Sequence, residues 1–391
     1  MIPERSATSP GPRSRTREQI YWRIANAPDG VTRHELADLC GISRSGVTHA
    51  VARLLADHRV IEDSGTGSGP GSGSGRPPAL LRLPTRPGNL VGIDFGHQHV
   101  AVAVSDTRGR ILRQRRTQHD VDHAVSRAID VAAAMATELM GEVGASTPEL
   151  TVAGIPCPIN RESGAVIPPR SLTGWLDVDA VAELAARLGC PVHLANDASL
   201  GSLAELRRGA GRMHRDFVYV KISHGIGAGI VLDGKLRQGA IGIAGEIGHI
   251  SVRRDGDLCR CGARGCLETV ASSSALRRAL ASVMPPSAIE TQTIGSITEP
   301  AATRVFLEAG ATLGRTLCTL CDALNPAVIV LGGEVGSTVP AILQAAQQAI
   351  SAHTQPATTT GVAVTTATFG QDNEVTGAIA HATILAQAAA G

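Results

Sequence analysis

One stretch of the chain can contribute nothing to a packed core. Residues 64–78 hold six Gly, four Ser and three Pro in fifteen positions. Such a run has almost no apolar side chain to bury and behaves as a flexible tether. It splits the 391 residues into a short head and a long body, and the length suits two or three domains at roughly 100–200 residues each. The expected organisation is a disordered arm over 1–16, a head over 17–85 with 64–78 as its wing or linker, and a body over 86–391. Charge divides in the same way. Residues 1–90 carry 12 Arg against 8 acidic side chains, whereas residues 91–391 carry 24 basic against 27 acidic. A basic head on a mildly acidic body suits a nucleic-acid-binding module joined to a domain of another kind.

Composition excludes several classes. With 43% apolar and 18% charged residues, the chain is too apolar to be disordered throughout. Only 8 residues are aromatic, so Val, Leu, Ile and Ala must build the core. No apolar run approaches the ~18–20 residues of a membrane span, and residues 1–15 show no apolar segment of a secretory signal. The expected location is cytoplasmic. Eight Cys in 391 residues are too sparse for a disulfide scaffold, and a tight cluster among them reads first as a metal site.

In the head, Thr32-Arg-His-Glu35 fits a capping box, flanked by Val31 and Leu36 at staple positions. Cys40-Gly41-Ile42 supplies a tight turn, and Ser43 caps the next helix. There Val47, Ala50, Val51, Leu54 and Leu55 form one apolar stripe. Arg44, Ser45, Thr48, His49 and Arg53 occupy the opposite face, near the helix end that meets base edges in a major groove. Val60–Glu62 and Ala79–Leu83 can pair as a wing, with Arg76 as a candidate phosphate or minor-groove contact. The pattern predicts a winged helix-turn-helix that binds paired half-sites of double-stranded DNA as a dimer. A helical hairpin for protein contacts is the alternative.

In the body, His249, Cys259, Cys261 and Cys266 are spaced H-x9-C-x-C-x4-C. Three thiolates and one imidazole make a closed tetrahedral zinc site, structural rather than catalytic, with Gly256, Gly262 and Gly265 allowing the loop to fold tightly. Cys318-x-x-Cys321 falls on an apolar helical stripe and reads as core. Two β-meanders repeat: strands around Leu90–Arg113 and around Val218–Arg237, each with a Gly-containing tight turn. They predict two similar α/β lobes facing a cleft. The lobes are expected over about 86–200 with a C-terminal helix at about 374–391, and over about 201–373. Asn196-Asp197 at a strand end, Glu246 and Glu268 offer carboxylates and an amide suited to several hydroxyls, although each alone also serves as a cap or turn.

Gly245-Glu-Ile-Gly-His249 followed by Cys259-x-Cys-Gly-x-x-Gly-Cys-x-Glu268 resembles the motif of the ROK family of repressors and sugar kinases. Gly154-Ile-Pro-Cys-Pro-Ile159, Gly174-Trp175, Asn196-Asp197 and Leu331–Gly336 are similar to its further motifs, so the resemblance covers about 90–391. It implies an α/β, two-lobed, actin-like sugar-kinase domain behind the mainly α head. It also implies sugar contacts from Asn196, Asp197, Glu246, His249 and Glu268, with His249 using its other nitrogen for zinc. In kinase members the counterpart of Asp197 is the general base.

The chain departs from the kinase pattern where phosphate binds. His97 and Gln98 stand in place of Gly and Thr in D-x-G-G-T, and His224 in place of Thr in G-T-G-x-G. Side chains therefore enter space that glycine leaves to phosphate. Ala195 and Ser199 replace a usual Glu and Asn, and Arg170-Ser-Leu-Thr a usual Pro-Asn-Leu-Pro. The expectation is a sugar-responsive transcriptional regulator, usually a repressor, that has lost catalysis, with Leu331–Gly336 still able to admit a nucleotide base although the phosphate turns are filled. It would bind a sugar or sugar phosphate and an inverted-repeat operator as a homodimer or homotetramer. The rival is an active sugar kinase with a DNA-binding head.

Overall fold

The computed structural model describes residues 12–27, 29–63, 79–84, 87–167, 173–290, 292–359 and 361–390. They belong to two compact units, Met1–Pro87 and Gly88–Gly391.

The first unit holds α1 (Pro12–Ala25), α2 (Arg33–Cys40), α3 (Arg44–Ala56), β1 (Ile61–Asp63) and β2 (Leu80–Arg82). The arm expected over 1–16 is therefore corrected from residue 12 onward, where the chain is already helical. Pro12 is the first helical residue, a position where proline loses no hydrogen bond and its fixed φ suits the helix. Both capping-box bonds form at α2: the Glu35 N–H donates to Thr32 Oγ1 at 3.2 Å and the Thr32 N–H to Glu35 Oε2 at 2.8 Å. Such a cap contributes about 1 kcal/mol. Gly41 ends the helix at φ 62°, and Ser43 caps α3 by accepting from the Gly46 N–H. Val47, Ala50, Val51 and Leu54 pack with Ile20, Ile24, Leu36 and Leu81, while Leu55 is only partly buried. Strands β1 and β2 pair antiparallel. The Gly/Ser run 64–78 and Arg76 lie outside the described residues.

The second unit repeats one topology. In its first sheet β3 (Asn89–Gly96), β4 (His99–Asp106) and β5 (Ile111–Gln118) form a meander. α4 (Val125–Glu142) then leads to β6 (Leu150–Ile155), and α5 (Ala180–Leu188) to β7 (Val192–Asn196). The strand order is β5-β4-β3-β6-β7. After α6 (Asp197–Arg208), the strands β8 (Phe217–Ile222), β9 (Ile226–Leu232) and β10 (Lys235–Arg237) form a second meander. A long excursion carries α7 (Glu268–Ala271), α8 (Ser273–Leu280), α9 (Pro286–Glu290) and α10 (Pro300–Leu324). It returns as β11 (Val328–Gly332), α11 (Gly333–Thr338), α12 (Pro340–His353), α13 (Pro356–Thr359) and β12 (Ala363–Thr366), and α14 (Asn373–Ala390) closes the chain. The second order, β10-β9-β8-β11-β12, matches the first strand for strand.

Alternation along the strands explains the layers, since successive side chains point to opposite faces. Val91, Ile93 and Phe95 of β3 join α4 in one core, and Val218, Val220 and Ile222 of β8 join α10 and α12 in another. The other faces, carrying Gly92 and Asp94 or Tyr219 and Lys221, turn toward α14 and α6. Those helices pack on each other, α14 against β3 and α6 against β8 and β9. Gly92 is required here because a Cβ would lie 3.0 Å from the Ile379 nitrogen and the Val375 carbonyl oxygen. Cys318 and Cys321 are buried in α10, as the stripe predicts. No described helix is long and apolar enough to cross a membrane.

Candidate functional site

The two meanders place equivalent turns opposite each other across a cleft of about 450 Å³. Two residues lie between Asp94 and His97 in the first, and two between Lys221 and His224 in the second. The repeat thus pairs an acid with an ammonium on the inner strand faces, and an imidazole with an imidazole at the turns. The rings of His97 and His224 stack with centroids 4.8 Å apart at 25°. His97 donates its Nδ1–H to Asp122 Oδ2 at 2.7 Å. Burial, and next the neighbouring His97, lower the pKa of His224. Asp94 is fully buried and accepts from His99 Nε2 at 2.7 Å. Burial opposes its charge, but His99, Lys221 and Arg116 outweigh it and hold the carboxyl at about 2.

The acceptor-rich part of the cleft is built on β7 and the excursion after β10. Asn196 ends β7 and caps α6, its Oδ1 accepting from the Ser199 N–H at 3.0 Å. Asp197 begins α6, and its Oδ1 accepts from the Ala198 N–H at 2.7 Å. Asn196, Asp197 and Glu246 line the cleft. Burial, with Asp197 nearby, pushes the Glu246 carboxyl up to about 7. Glu268 sits behind the wall, 7% exposed. Its Oε2 accepts from Arg260 at 2.7 Å and from the Ile226 N–H at 3.3 Å, so Arg260 rather than Glu268 faces the cleft.

His249, Cys259, Cys261 and Cys266 converge, their ligand atoms all within 4.8 Å of one another. Cys261 Sγ and Cys266 Sγ are 3.7 Å apart, and Cys259 Sγ is 3.5 Å from His249 Nδ1. Zinc–sulfur bonds of about 2.3 Å in a tetrahedron put sulfurs about 3.8 Å apart, so the group fits a tetrahedral metal. Gly265 lets the loop close: its φ is +65°, and a Cβ there would lie 1.6 Å from the Arg253 carbonyl oxygen. His249 Nδ1 faces the thiols while its Nε2 lies 3.9 Å from Glu246 Oε2. One ring therefore lies between the thiols and Glu246 of the cleft wall.

Several cleft residues carry no local sequence signal. Lys221 donates to Asp197 Oδ2 at 2.9 Å and lies 3.7 Å from Glu374 Oε1. Arg116 and Arg277 also line the cleft. Only rarity points to Lys221, one of two lysines in the chain. Arg260 is marked by its place between Cys259 and Cys261 of the His/Cys cluster. In the first unit, Arg44, Ser45, Thr48, His49 and Arg53 are all exposed on α3. The Thr48 hydroxyl donates to the Arg44 carbonyl.

Comparison with known proteins agrees with this construction. A family model described as the ROK family matches residues 90–384. The xylose repressor of Bacillus spizizenii is 28% identical over 340 residues, covering 85% of each chain. A crystal structure of a ROK family transcriptional regulator, a homologue of the E. coli MLC protein, superposes with TM-score 0.66 at 23% identity, covering 96% of this chain and 100% of that one. The Streptomyces griseus ROK glucokinase, solved with glucose and AMPPNP, superposes with TM-score 0.65 at 27% identity, covering 75% of this chain and 98% of its own.

Proposed function

The chain belongs to the ROK family, with its two-lobed, actin-like sugar-kinase fold, and from that premise we propose that it is a sugar-responsive transcriptional repressor that binds its sugar without phosphorylating it. The observation that carries this reading is the coexistence of an exposed Arg44–Arg53 helix face with a cleft whose turns are filled by stacked His97 and His224. The first unit acts as a winged helix-turn-helix. Its α3 enters the major groove through Arg44, Ser45, Thr48, His49 and Arg53, and a homodimer reads an inverted repeat. Its resemblance to a chain named for xylose repression supports this role.

In the cleft, Asn196, Asp197, Glu246 and His249 hold sugar hydroxyls, and Glu268 holds Arg260 in place. Zinc in the His249–Cys266 knot supplies a rigid cross-link that fixes the wall carrying Glu246 and Arg260. At the other end, glycine and hydroxyl groups that would admit phosphate are replaced by rings, which supports the absence of ATP and of phosphoryl transfer. Sugar changes DNA affinity only by binding two arrangements of the protein unequally.

The test is a DNA-selection experiment on promoter fragments, repeated with D-xylose, D-glucose and N-acetylglucosamine, beside a coupled assay for ADP. The expected outcome is an inverted repeat released by one sugar, with no sugar-dependent ADP. ADP formation abolished by Asp197→Asn, with no DNA selected, would establish the kinase instead.

A further inference from the structure

We propose that Lys221 is a positioning residue for the cleft's ligand, holding Asp197 ionised and fixed so that it serves as a hydrogen-bond acceptor and not as a base. This rests on the reading of the cleft as a sugar site. Nearly every basic residue of the chain is Arg, and Lys221 and Lys235 are the two lysines. Lys235 is exposed, whereas Lys221 is 9% exposed. A compact ammonium with three donors suits a site between carboxylates that a planar guanidinium would overfill. The sheet makes room for it, because its register partners on both neighbouring strands are glycines, Gly227 of β9 and Gly332 of β11.

Three carboxylates face this one ammonium: Asp197 from α6, Glu374 from α14 and Asp94 from β3. Asp94 is also bonded to His99 of β4. Glu374 Oε1 accepts from the Tyr219 hydroxyl at 2.8 Å, and burial pushes that carboxyl up to about 7. Asp197 is instead held at both carboxyl oxygens. Its Oδ2 takes the ammonium, and its Oδ1 takes the Ala198 N–H and the Asn196 amide at 3.3 Å. A carboxylate held this way accepts strong charge-assisted bonds from hydroxyls, but the adjacent cation makes it a poor proton acceptor. Without Lys221, Asp197 and Glu374 would be buried acids sharing one site, and one of them would take up a proton.

The experiment uses the full-length protein and the variants Lys221→Met, Lys221→Arg and Lys221→Met with Asp197→Asn. Lys221→Gln replaces the methionine variant if that fails to fold. Without sugar, the melting temperature of Lys221→Met is expected to fall progressively, relative to wild type, from pH 6 to 8.5 as unpaired acids ionise. Adding Asp197→Asn should reduce that fall, leaving the part that belongs to Glu374. Equal pH slopes in wild type and Lys221→Met would overturn the proposal, and so would a fall that Asp197→Asn leaves unchanged. With D-xylose, D-glucose and N-acetylglucosamine as probes, Lys221→Met should bind about tenfold more weakly at pH 6.5. Its deficit relative to wild type should shrink as pH rises, whereas Lys221→Arg should keep the wild-type pH profile. A loss equal at every pH would mark a merely structural role and overturn the proposal. If no sugar stabilises the wild-type protein, the sugar reading falls, while the sugar-free slopes still decide whether Lys221 keeps Asp197 charged.

Discussion

The end of the cleft beside the cysteine knot and the end between the two hairpin turns use different means of placing a side chain. Near the knot, Glu246 and Arg260 stand on an irregular loop that gathers His249, Cys259, Cys261 and Cys266 and is threaded by glycines that admit no Cβ. At the hairpins, His97 and His224 stand on turns between regular strands, whose ladders hold the backbone whatever the turn residue is. The first construction ties binding to the integrity of the whole loop. The second allows side chains to be exchanged with little disturbance behind them. Such a construction lets the hairpin end change its chemistry while the end beside the knot keeps its shape.

The contrast is broken most severely at the knot. Cys259→Ser or Cys261→Ser removes one thiolate, and structural zinc contributes on the order of 10 kcal/mol in small zinc-dependent folds. Metal analysis is expected to find well under one zinc per chain. The melting temperature should drop by many degrees, and stabilisation by sugar should vanish. A serine variant that keeps its zinc and its sugar response would show that the loop holds its shape by other contacts.

A smaller effect is expected from opening the other end. His97→Gly combined with His224→Thr removes the stack and frees backbone N–H groups at both turns. Equilibrium dialysis with Mg·ATP should then detect tighter binding than to wild type, while sugar affinity changes less than about threefold, as for sites without shared partners. A matching loss of sugar affinity would show that the two ends are one cooperative unit.

The sequence revealed the knot better than the histidine end for a physical reason. His249 and the three cysteines lie within one loop, and the capping box at Thr32–Glu35 is local too, so spacing alone specifies their geometry. The repeated meander was legible because strand, turn and strand leave a pattern in consecutive residues. The partnership of Lys221 with Asp197 and Glu374 leaves none. It depends on two helices, α6 and α14, whose sequence separation exceeds 150 residues. His97 and His224 were visible as departures from glycine and threonine, but their stacking required both sheets to be in place. The helix over Pro12–Ala25 is the opposite case, since proline at its first position is a local signal that the run of Pro, Ser and Arg obscured.

The smallest expected effect concerns the pH dependence of the stack. His224 is a base whose pKa in the folded protein is lowered, by burial first and then by His97, while Asp122 and Glu334 act in the opposite sense. A lowered base favours the folded state when neutral. Its contribution is therefore fully present above the ordinary histidine value of 6.5 and is lost as pH falls below it toward the folded-state value. A ring pair of this kind is worth about 0.5–1.5 kcal/mol, so the change amounts to a few degrees at most. His224→Phe keeps a ring against His97 but cannot take a proton. Between pH 8 and pH 5, wild type should lose more stability than His224→Phe, with the difference developing below pH 6.5 and no difference in zinc content. Parallel pH profiles would mean that the stack tolerates a second proton, and the hairpin end would then have to be held closed by Asp122 and Glu334 and not by the rings themselves.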